Sequence, residues 1–284
     1  MTAATTADAD WAEREYNPRL SVPHAPAIYE AWVERAAATR AAHSPIADIR
    51  YGEHPREILD LFRAEEPRGT VLFIHGGYWR ALSKDAFSWV AEGFLGQNLS
   101  VALLNYPLCP EVTLARIVEA ARRGFAHLYR EVLRDEERAG IVVAGHSAGG
   151  YLTALHLATA WEEHGLPPDP IAGIVPISGV FALAPLIPTS MNADIRLDLA
   201  EAGRLSLYGA PWRSRARAVF VVGGDESSEF HRQSADMAAA WADLELRVVA
   251  IPGANHFDVI EGLGQPGSEL NRVVTGLLDG TQPL

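Results

Sequence analysis

The stretch "VVAGHSAGG", Val142–Gly150, carries the strongest local signal in the sequence. Within it, Gly145–Gly149 matches the pattern G-x-S-x-G and lies between an apolar run that predicts a strand and another that predicts a helix. The motif needs this context, because a tight strand-to-helix turn holds the serine in a strained backbone conformation with its hydroxyl above the sheet. The sequence therefore predicts Ser147 as a nucleophile; the alternative is a glycine-rich turn in which the serine is incidental.

A serine hydroxyl is a weak nucleophile and needs a general base. The predicted base is His256, in the loop of "IPGANHFDVI" that follows an apolar strand, whereas His75 and His146 each precede a turn and are predicted to be structural. The carboxylate that orients the base is expected in "VFVVGGDESSEF", which offers Asp225 and Glu226. Glu226 is preferred for its spacing from the preceding glycines and its longer reach, and Asp225 stays an alternative.

A second glycine motif, "FIHGGYW" at Phe73–Trp79, ends another apolar strand. Gly76 and Gly77 have no Cβ, so the backbone can turn its N–H groups toward the nucleophile. Together with the N–H of Ala148, next after the serine, the amides of Gly77 and Tyr78 are predicted to form an oxyanion hole.

Two large aromatic side chains follow these glycines, although a simple turn does not require them. Tyr78 and Trp79 are predicted to form walls of an apolar substrate pocket beside the oxyanion hole. The alternative is that they pack in the core behind the loop. The order of the three candidate catalytic residues along the chain, Ser147, Glu226 and His256, is that of α/β hydrolases.

Strands that alternate with helices of 10–15 residues predict an α/β fold with a mostly parallel central sheet and helices on both faces. Two short segments, "ADIRY" and "EILDLFR", predict an additional hairpin-like pair of strands. Residues 1–284 are interpreted as one domain with an N-terminal extension over 1–44 and a cap-like insertion of short helices over 180–215. The remaining expectations are a frayed tail over 1 to about 10 and helices over 27–42, 84–96, 113–134, 148–163, 228–242 and 269–279.

The composition excludes several classes of function. The net charge of −12 argues against nucleic acid or an anionic membrane as a partner. A single cysteine, Cys109, allows no intrachain disulfide and is expected to have no role. With no apolar signal segment, no stretch of ~20 apolar residues and no metal-binding motif, we expect a soluble, cytoplasmic protein without a cofactor.

Several longer stretches resemble the kynurenine formamidase (arylformamidase) family of α/β hydrolases. They are "HGGYWR" with "SKD", "GHSAGG", "ISGVFALAPLIPTSMN", "EFHRQS" and "HFDVIE", and the resemblance covers roughly residues 45–265. It implies hydrolysis of the formyl amide of N-formylkynurenine, a step of tryptophan catabolism, by a Ser-acid-His triad without a metal. It puts the acid at Glu226, where members commonly have Asp, and it implies that Ser178 and Asn192 lie near the substrate.

The sequence thus predicts a serine hydrolase that transfers a small acyl group from an arylamine to water. A carboxylesterase for short acyl esters would use the same residues and is the first alternative. A non-catalytic binding protein of the same fold is the second. The expected partner is a small-molecule substrate, and the oligomeric state is left open, with a homodimer as one alternative.

Overall fold

The computed structural model describes residues 6–281, which are built around one sheet of eight strands. The strands are β1 (Ile46–Arg50), β2 (Ile58–Phe62), β3 (Thr70–Ile74), β4 (Ser100–Leu104), β5 (Ile141–His146), β6 (Gly173–Ile177), β7 (Arg217–Gly223) and β8 (Leu246–Ile251). Their order across the sheet is β1-β2-β4-β3-β5-β6-β7-β8. Strand β2 is antiparallel to both neighbours, and all pairings from β4 to β8 are parallel. The predicted mostly parallel sheet is therefore confirmed.

The central strands are apolar on both sides because helices cover both faces of the sheet. In β3, Leu72 and Ile74 pack into one core, whereas Val71 and Phe73 pack into the other. This alternation follows from the two-residue period of a strand, which sends successive side chains to opposite faces.

The described residues contain ten α-helices, and none of them is both long and apolar enough to cross a membrane. They are α1 (Thr6–Tyr16), α2 (Pro18–Ser21), α3 (Ala25–His43), α4 (Leu114–His127), α5 (Asp135–Arg138), α6 (Ala148–Leu155), α7 (Asn192–Ile195), α8 (Leu199–Leu205), α9 (Ser228–Ala240) and α10 (Glu269–Leu278). Segments of 3-10 helix span Lys84–Gly93, Leu95–Gln97, Trp161–His164, Ala184–Leu186 and Asp258–Gly264, and a π-helical turn spans Leu128–Val132. Residues of α1, α4, α6, α8 and α9 pack on one face, and residues of α3 and α10 pack on the other.

Several predicted helices differ from those observed. Residues 6–10, predicted as part of a tail, begin α1, while residues 1–5 lie outside the described residues. The sequence of α1 looks polar because the helix buries few side chains; Ala12 and Tyr16 are two that it does bury. The predicted helix over 148–163 ends at Leu155, after which the Trp161 indole N–H donates to the carbonyl of His156 at 3.0 Å.

The helix expected over 84–96 is a 3-10 helix that ends at Gly93, and the one over 113–134 changes to a π-helical turn after His127. Over 180–215 the structure has a 3-10 turn followed by α7 and α8, in agreement with the expected short helices.

A buried carboxylate joins the amino ends of the strands, at the edge of the sheet opposite the predicted site. Glu137 accepts hydrogen bonds from the Ser100 hydroxyl at 2.6 Å, from Nε of Arg63 at 3.1 Å and from the N–H of Arg134 at 2.9 Å. Burial by itself raises the pKa of Glu137, but these hydrogen bonds outweigh it and hold the pKa below its usual value.

Candidate active site

The turn between β5 and α6 holds Ser147 in a conformation that L-residues rarely adopt. Its φ is 55° and its ψ is −117°, and its N–H donates to the carbonyl of Ile177 at 2.8 Å. A Cβ on Gly149 would lie 2.0 Å from the carbonyl oxygen of Ile74, and one on Gly145 would lie 2.4 Å from the Thr153 hydroxyl. The glycines of the motif therefore let the helix and the neighbouring strand approach closely enough to force the strained turn.

The loops that follow β7 and β8 bring a carboxylate and an imidazole into contact. Oε2 of Glu226 lies 2.6 Å from Nδ1 of His256, and the side chains are 0% and 4% exposed. The other carboxylate oxygen accepts the N–H of Gly223 at 2.6 Å and the hydroxyl of Ser178. A carboxylate held by two further donors fixes the position of the ring and keeps the proton on Nδ1, so that Nε2 is free to act as a base.

The structure brings Glu226, not Asp225, to the histidine. Asp225 is exposed, its N–H donates to the carbonyl of Ala254 at 2.9 Å, and its carboxylate makes no described contact with His256. The two adjacent acids differ because the loop directs one side chain inward beneath the strand ends and the other outward.

Ser178 and Asn192, which the family resemblance implied to be near the substrate, do not line the described cavity, and their polar groups contact other residues of the protein. The Ser178 hydroxyl is used on the Glu226 carboxylate. The Asn192 amide donates to the carbonyls of Ile187 and Leu197 at 3.1 Å and accepts the N–H of Leu197 at 2.7 Å, so it closes its own loop. The structure thus assigns one residue to the support of the acid and the other to the support of a loop.

The loop after β3 presents backbone amides beside Ser147. A Cβ on Gly76 would lie 3.2 Å from Cβ of Ser147, and Gly77 has a φ of 107°, so neither position accommodates a larger residue without strain. Among the described residues, no acceptor is found for the backbone N–H groups of Gly77, Tyr78 and Ala148. An oxyanion hole requires backbone donors that are left unpaired in this way.

Two buried histidines hold this part of the backbone in place. His75 stacks on Tyr106 with ring centroids 4.3 Å apart, and its Nδ1 donates to the carbonyl of Gly76 at 2.7 Å. His146 donates from Nε2 to the carbonyl of His256 at 2.7 Å. Burial lowers the pKa of His75 to about 4 and that of His146 well below its usual value, so both rings are neutral at pH 7. Their predicted structural role agrees with these contacts.

The rings of Tyr78 and Trp79 have different surroundings. Tyr78 lines a cavity together with Ser147, and its hydroxyl donates to the carbonyl of Tyr16. Trp79 is fully buried and packs edge-on against Tyr151, with centroids 5.4 Å apart, and it does not line that cavity. The prediction of a pocket wall therefore does not hold for Trp79, which takes the alternative, core packing.

The cavity has a volume of about 250 Å³, and both Ser147 and His256 line it. The N-terminal segment contributes five of the described lining residues, whereas the insertion over 180–215 contributes only Met191. The lining residues are Asn17, Pro18, Arg19, Tyr29, Trp32, Gly77, Tyr78, Arg80, Ala81, Leu82, His146, Ser147, Met191, His256 and Phe257. Sequence analysis missed the N-terminal contribution, because no local pattern shows where an extension folds back.

Within the described part of the chain, no hydrogen bond joins the Ser147 hydroxyl to the His256 ring, although both face the same cavity. Hydrogen bonds between catalytic groups are often long without substrate and shorten when it binds. In residues 6–281, moreover, no group of three or more His, Cys, Asp or Glu side chains could hold a metal ion.

Comparison with known proteins identifies the family. A family model described as alpha/beta hydrolase fold matches residues 71–244. The chain belongs to this family. The α/β-hydrolase sheet places every candidate catalytic loop at the carboxyl ends of parallel strands: the glycine loop after β3, Ser147 after β5, Glu226 after β7 and His256 after β8.

Relatives narrow the assignment within the α/β hydrolases. Kynurenine formamidase of Salmo salar is 27% identical over 89% of this chain and 87% of its own, and that of Danio rerio is 26% identical over 87% of each. A solved structure from Silicibacter sp. TM1040, described as a "putative thioesterase", is 33% identical with a TM-score of 0.83 and covers 93% of this chain and 98% of its own. The chain is thus a kynurenine formamidase-like α/β hydrolase, and the resemblance found in the sequence is confirmed.

Proposed function

We propose that this hydrolase removes a formyl group from an arylamine of the N-formylkynurenine type, with Ser147, Glu226 and His256 as its catalytic triad. The observation that carries the proposal is the buried Glu226–His256 pair, whose ring lines the same cavity as the strained Ser147. The kynurenine formamidase relatives, which align over most of the chain, support the formamide as substrate.

In the first half of the reaction, the Ser147 oxygen attacks the formyl carbon while Nε2 of His256 takes the hydroxyl proton. The carbonyl π electrons move to oxygen, and this oxyanion accepts hydrogen bonds from the amides of Gly77, Tyr78 and Ala148. The carbon–nitrogen bond then breaks, His256 returns the proton to the nitrogen, and the arylamine leaves a formyl ester on the serine.

In the second half, water attacks the formyl ester and gives its proton to His256. The ester bond breaks, the proton passes to the serine oxygen, and formic acid is released, which gives its proton to solvent and becomes formate. The negative charge of Glu226 stabilises the imidazolium that forms in both halves. In each half of the reaction, the same histidine acts first as a base and then as an acid.

The cavity supports a small aromatic substrate. Its volume of about 250 Å³ is below the ~300–1,000 Å³ of typical ligand pockets and so disfavours long acyl chains. Four aromatic side chains, Tyr29, Trp32, Tyr78 and Phe257, lie in its wall, where they can pack against the ring of an arylamine.

Hydrolysis of short esters or thioesters is the second candidate, favoured by the 33% identity to the Silicibacter structure. The test is to compare kcat/KM for N-formylkynurenine with that for p-nitrophenyl acetate, using Ser147→Ala as the blank. A preference for the formamide supports the proposal, and a large preference for the ester overturns it. Failure of a fluorophosphonate probe to label Ser147 in the folded protein would instead favour a non-catalytic binding role.

A further inference from the structure

The charge of the cavity is opposite to that of the protein. The chain carries a net charge of −12, yet the described residues that line the cavity include two arginines, Arg19 and Arg80, and no Asp or Glu. These two guanidinium groups are therefore the source of positive charge to consider in the wall around Ser147. A positive wall in an acidic protein favours ligands that carry negative charge.

The two arginines are not equivalent. Arg80 forms an ion pair with the carboxylate of Asp194, which neutralises its charge locally. Arg19 forms no ion pair with any carboxylate among residues 6–281, and its guanidinium lies 5.7 Å from the centroid of the Tyr29 ring. The Arg19 side chain also donates a hydrogen bond to the Tyr29 side chain, and because a guanidinium carries five N–H donors, others remain available to a ligand.

The backbone around Arg19 is held firmly beside the cavity. Pro18 is buried at the first position of α2, and the Asn17 side chain accepts the N–H of Arg19 at 3.3 Å and donates to Glu13 at 2.7 Å. The preceding helix is attached to the carboxyl edge of the sheet, where the Ser227 hydroxyl donates to the carbonyl of Glu15 at 2.6 Å. The arginine is therefore presented to the cavity from an anchored segment.

We propose that Arg19 binds a carboxylate on the amine portion of the substrate and so determines a preference for formamides that carry a carboxylate. This inference rests on the proposed function in one respect: a formyl group has no room for a charge, so the carboxylate must belong to the leaving amine. The planar guanidinium can donate two parallel hydrogen bonds to a carboxylate, which a neutral ester of the same shape receives poorly. Because Arg19 is exposed to solvent, we expect a preference of about tenfold, the lower end of the range for charged hydrogen bonds.

The experiment uses the full chain and two matched pairs of substrates. The first pair is N-formylkynurenine and its methyl ester, which differ in the carboxylate, and the second is 4-acetoxybenzoate and methyl 4-acetoxybenzoate. The quantity compared is the ratio of kcat/KM for the substrate with the free carboxylate to that for its methyl ester. In Arg19→Gln we expect this ratio to fall about tenfold, in Arg19→Lys to fall less because the charge remains, and in Arg19→Glu to drop below one.

Arg50→Gln is the matched control, since Arg50 is exposed on β1 and does not line the cavity. An unchanged ratio in Arg19→Gln and Arg19→Glu would overturn the inference, as would a loss of the ratio in Arg80→Gln with none in Arg19→Gln. The second pair separates this inference from the proposed function. If formamides are not hydrolysed, the proposed function fails, and the ester ratio still tests the role of Arg19.

Discussion

Replacement of Glu226 by glutamine tests the assignment of the triad acid. The carboxylate receives three donors: Nδ1–H of His256 and, on its other oxygen, the N–H of Gly223 and the hydroxyl of Ser178. Glutamine has one oxygen and one NH₂ group, so it can match only one side. If its oxygen faces His256, its NH₂ group opposes the backbone N–H of Gly223, which cannot rotate away.

The size of the effect follows from these contacts. The orientation just described leaves a buried backbone donor unsatisfied, at a cost of about 1–3 kcal/mol. In the other orientation the NH₂ group faces Nδ1, which must then accept, so the proton moves to Nε2 and the ring can no longer act as a base. The same tautomer error in a serine protease lowers kcat about 10⁴-fold, and we expect a loss of about 10³–10⁴, or roughly 4–5.5 kcal/mol.

Glu226→Asp should give an intermediate result. Removal of one methylene withdraws the carboxylate by about 1.5 Å, the length of a carbon–carbon bond, and so lengthens the 2.6 Å contact with His256 beyond hydrogen-bond distance. Since the imidazole stays in place but loses its partner, we expect a loss of about 10–100-fold in kcat.

The assay is turnover of N-formylkynurenine or p-nitrophenyl acetate, whichever the protein hydrolyses faster, together with the rate of fluorophosphonate labelling. Asp225→Asn is the matched control, because it changes the adjacent, exposed carboxylate in the same way. We expect it to remain within twofold of the parent. The reasoning is refuted if Glu226→Gln keeps more than a tenth of the parent kcat, or if Asp225→Asn loses more than Glu226→Gln does.

Three further predictions concern stability and the covering segment. Gly149→Ala should lower the free energy of unfolding by at least about 1–3 kcal/mol, because its Cβ would lie 2.0 Å from a backbone carbonyl oxygen. Gly203→Ala, whose Cβ would have no atom within 4 Å, should raise the free energy of unfolding by about 0.5–1 kcal/mol. Urea denaturation of the two variants and the parent measures both changes. Tyr78→Phe removes the hydrogen bond to Tyr16 and should speed proteolytic cleavage of the N-terminal segment, and an unchanged rate would count against this anchor. The pKa of Glu137 is lowered in the folded protein, so its carboxylate stabilises the fold fully above the unfolded pKa, and this stabilisation is lost as the pH falls through the folded pKa. The free energy of unfolding of Glu137→Gln should therefore depend less on pH below about pH 5 than that of the parent. An equal slope in the two proteins would contradict this.

Much of the fold was predictable because its signals are local. The run Val71–Ile74 is apolar throughout, which marks a strand covered on both faces, and most residues of β4, β5 and β6 are apolar in the same way. The turn at Ser147 was predictable for the same reason, since the glycines that permit it are neighbours of the serine in sequence.

Parts of the candidate site were not predictable because they depend on contacts between distant segments. Tyr16 lies 213 residues from Glu229, to which its hydroxyl donates, and that contact is one of those that fold the N-terminal segment over the cavity. No local pattern distinguishes Tyr78, which faces the cavity, from Trp79, which is buried in the core. Both rings follow the same glycine pair, and only the packing around them separates their roles.

The α/β sheet, the strained turn at Ser147 and the order of the candidate catalytic residues could be predicted from the amino-acid sequence, because hydrophobic period and glycine placement act over a few neighbouring residues. The folded structure was needed to show that Glu226 and not Asp225 contacts His256, that Ser178 supports this carboxylate, and that Arg19 lies in the cavity wall. These outcomes depend on which loops meet at the carboxyl edge of the sheet. That meeting is set by the packing of the whole chain, which no short stretch of residues encodes.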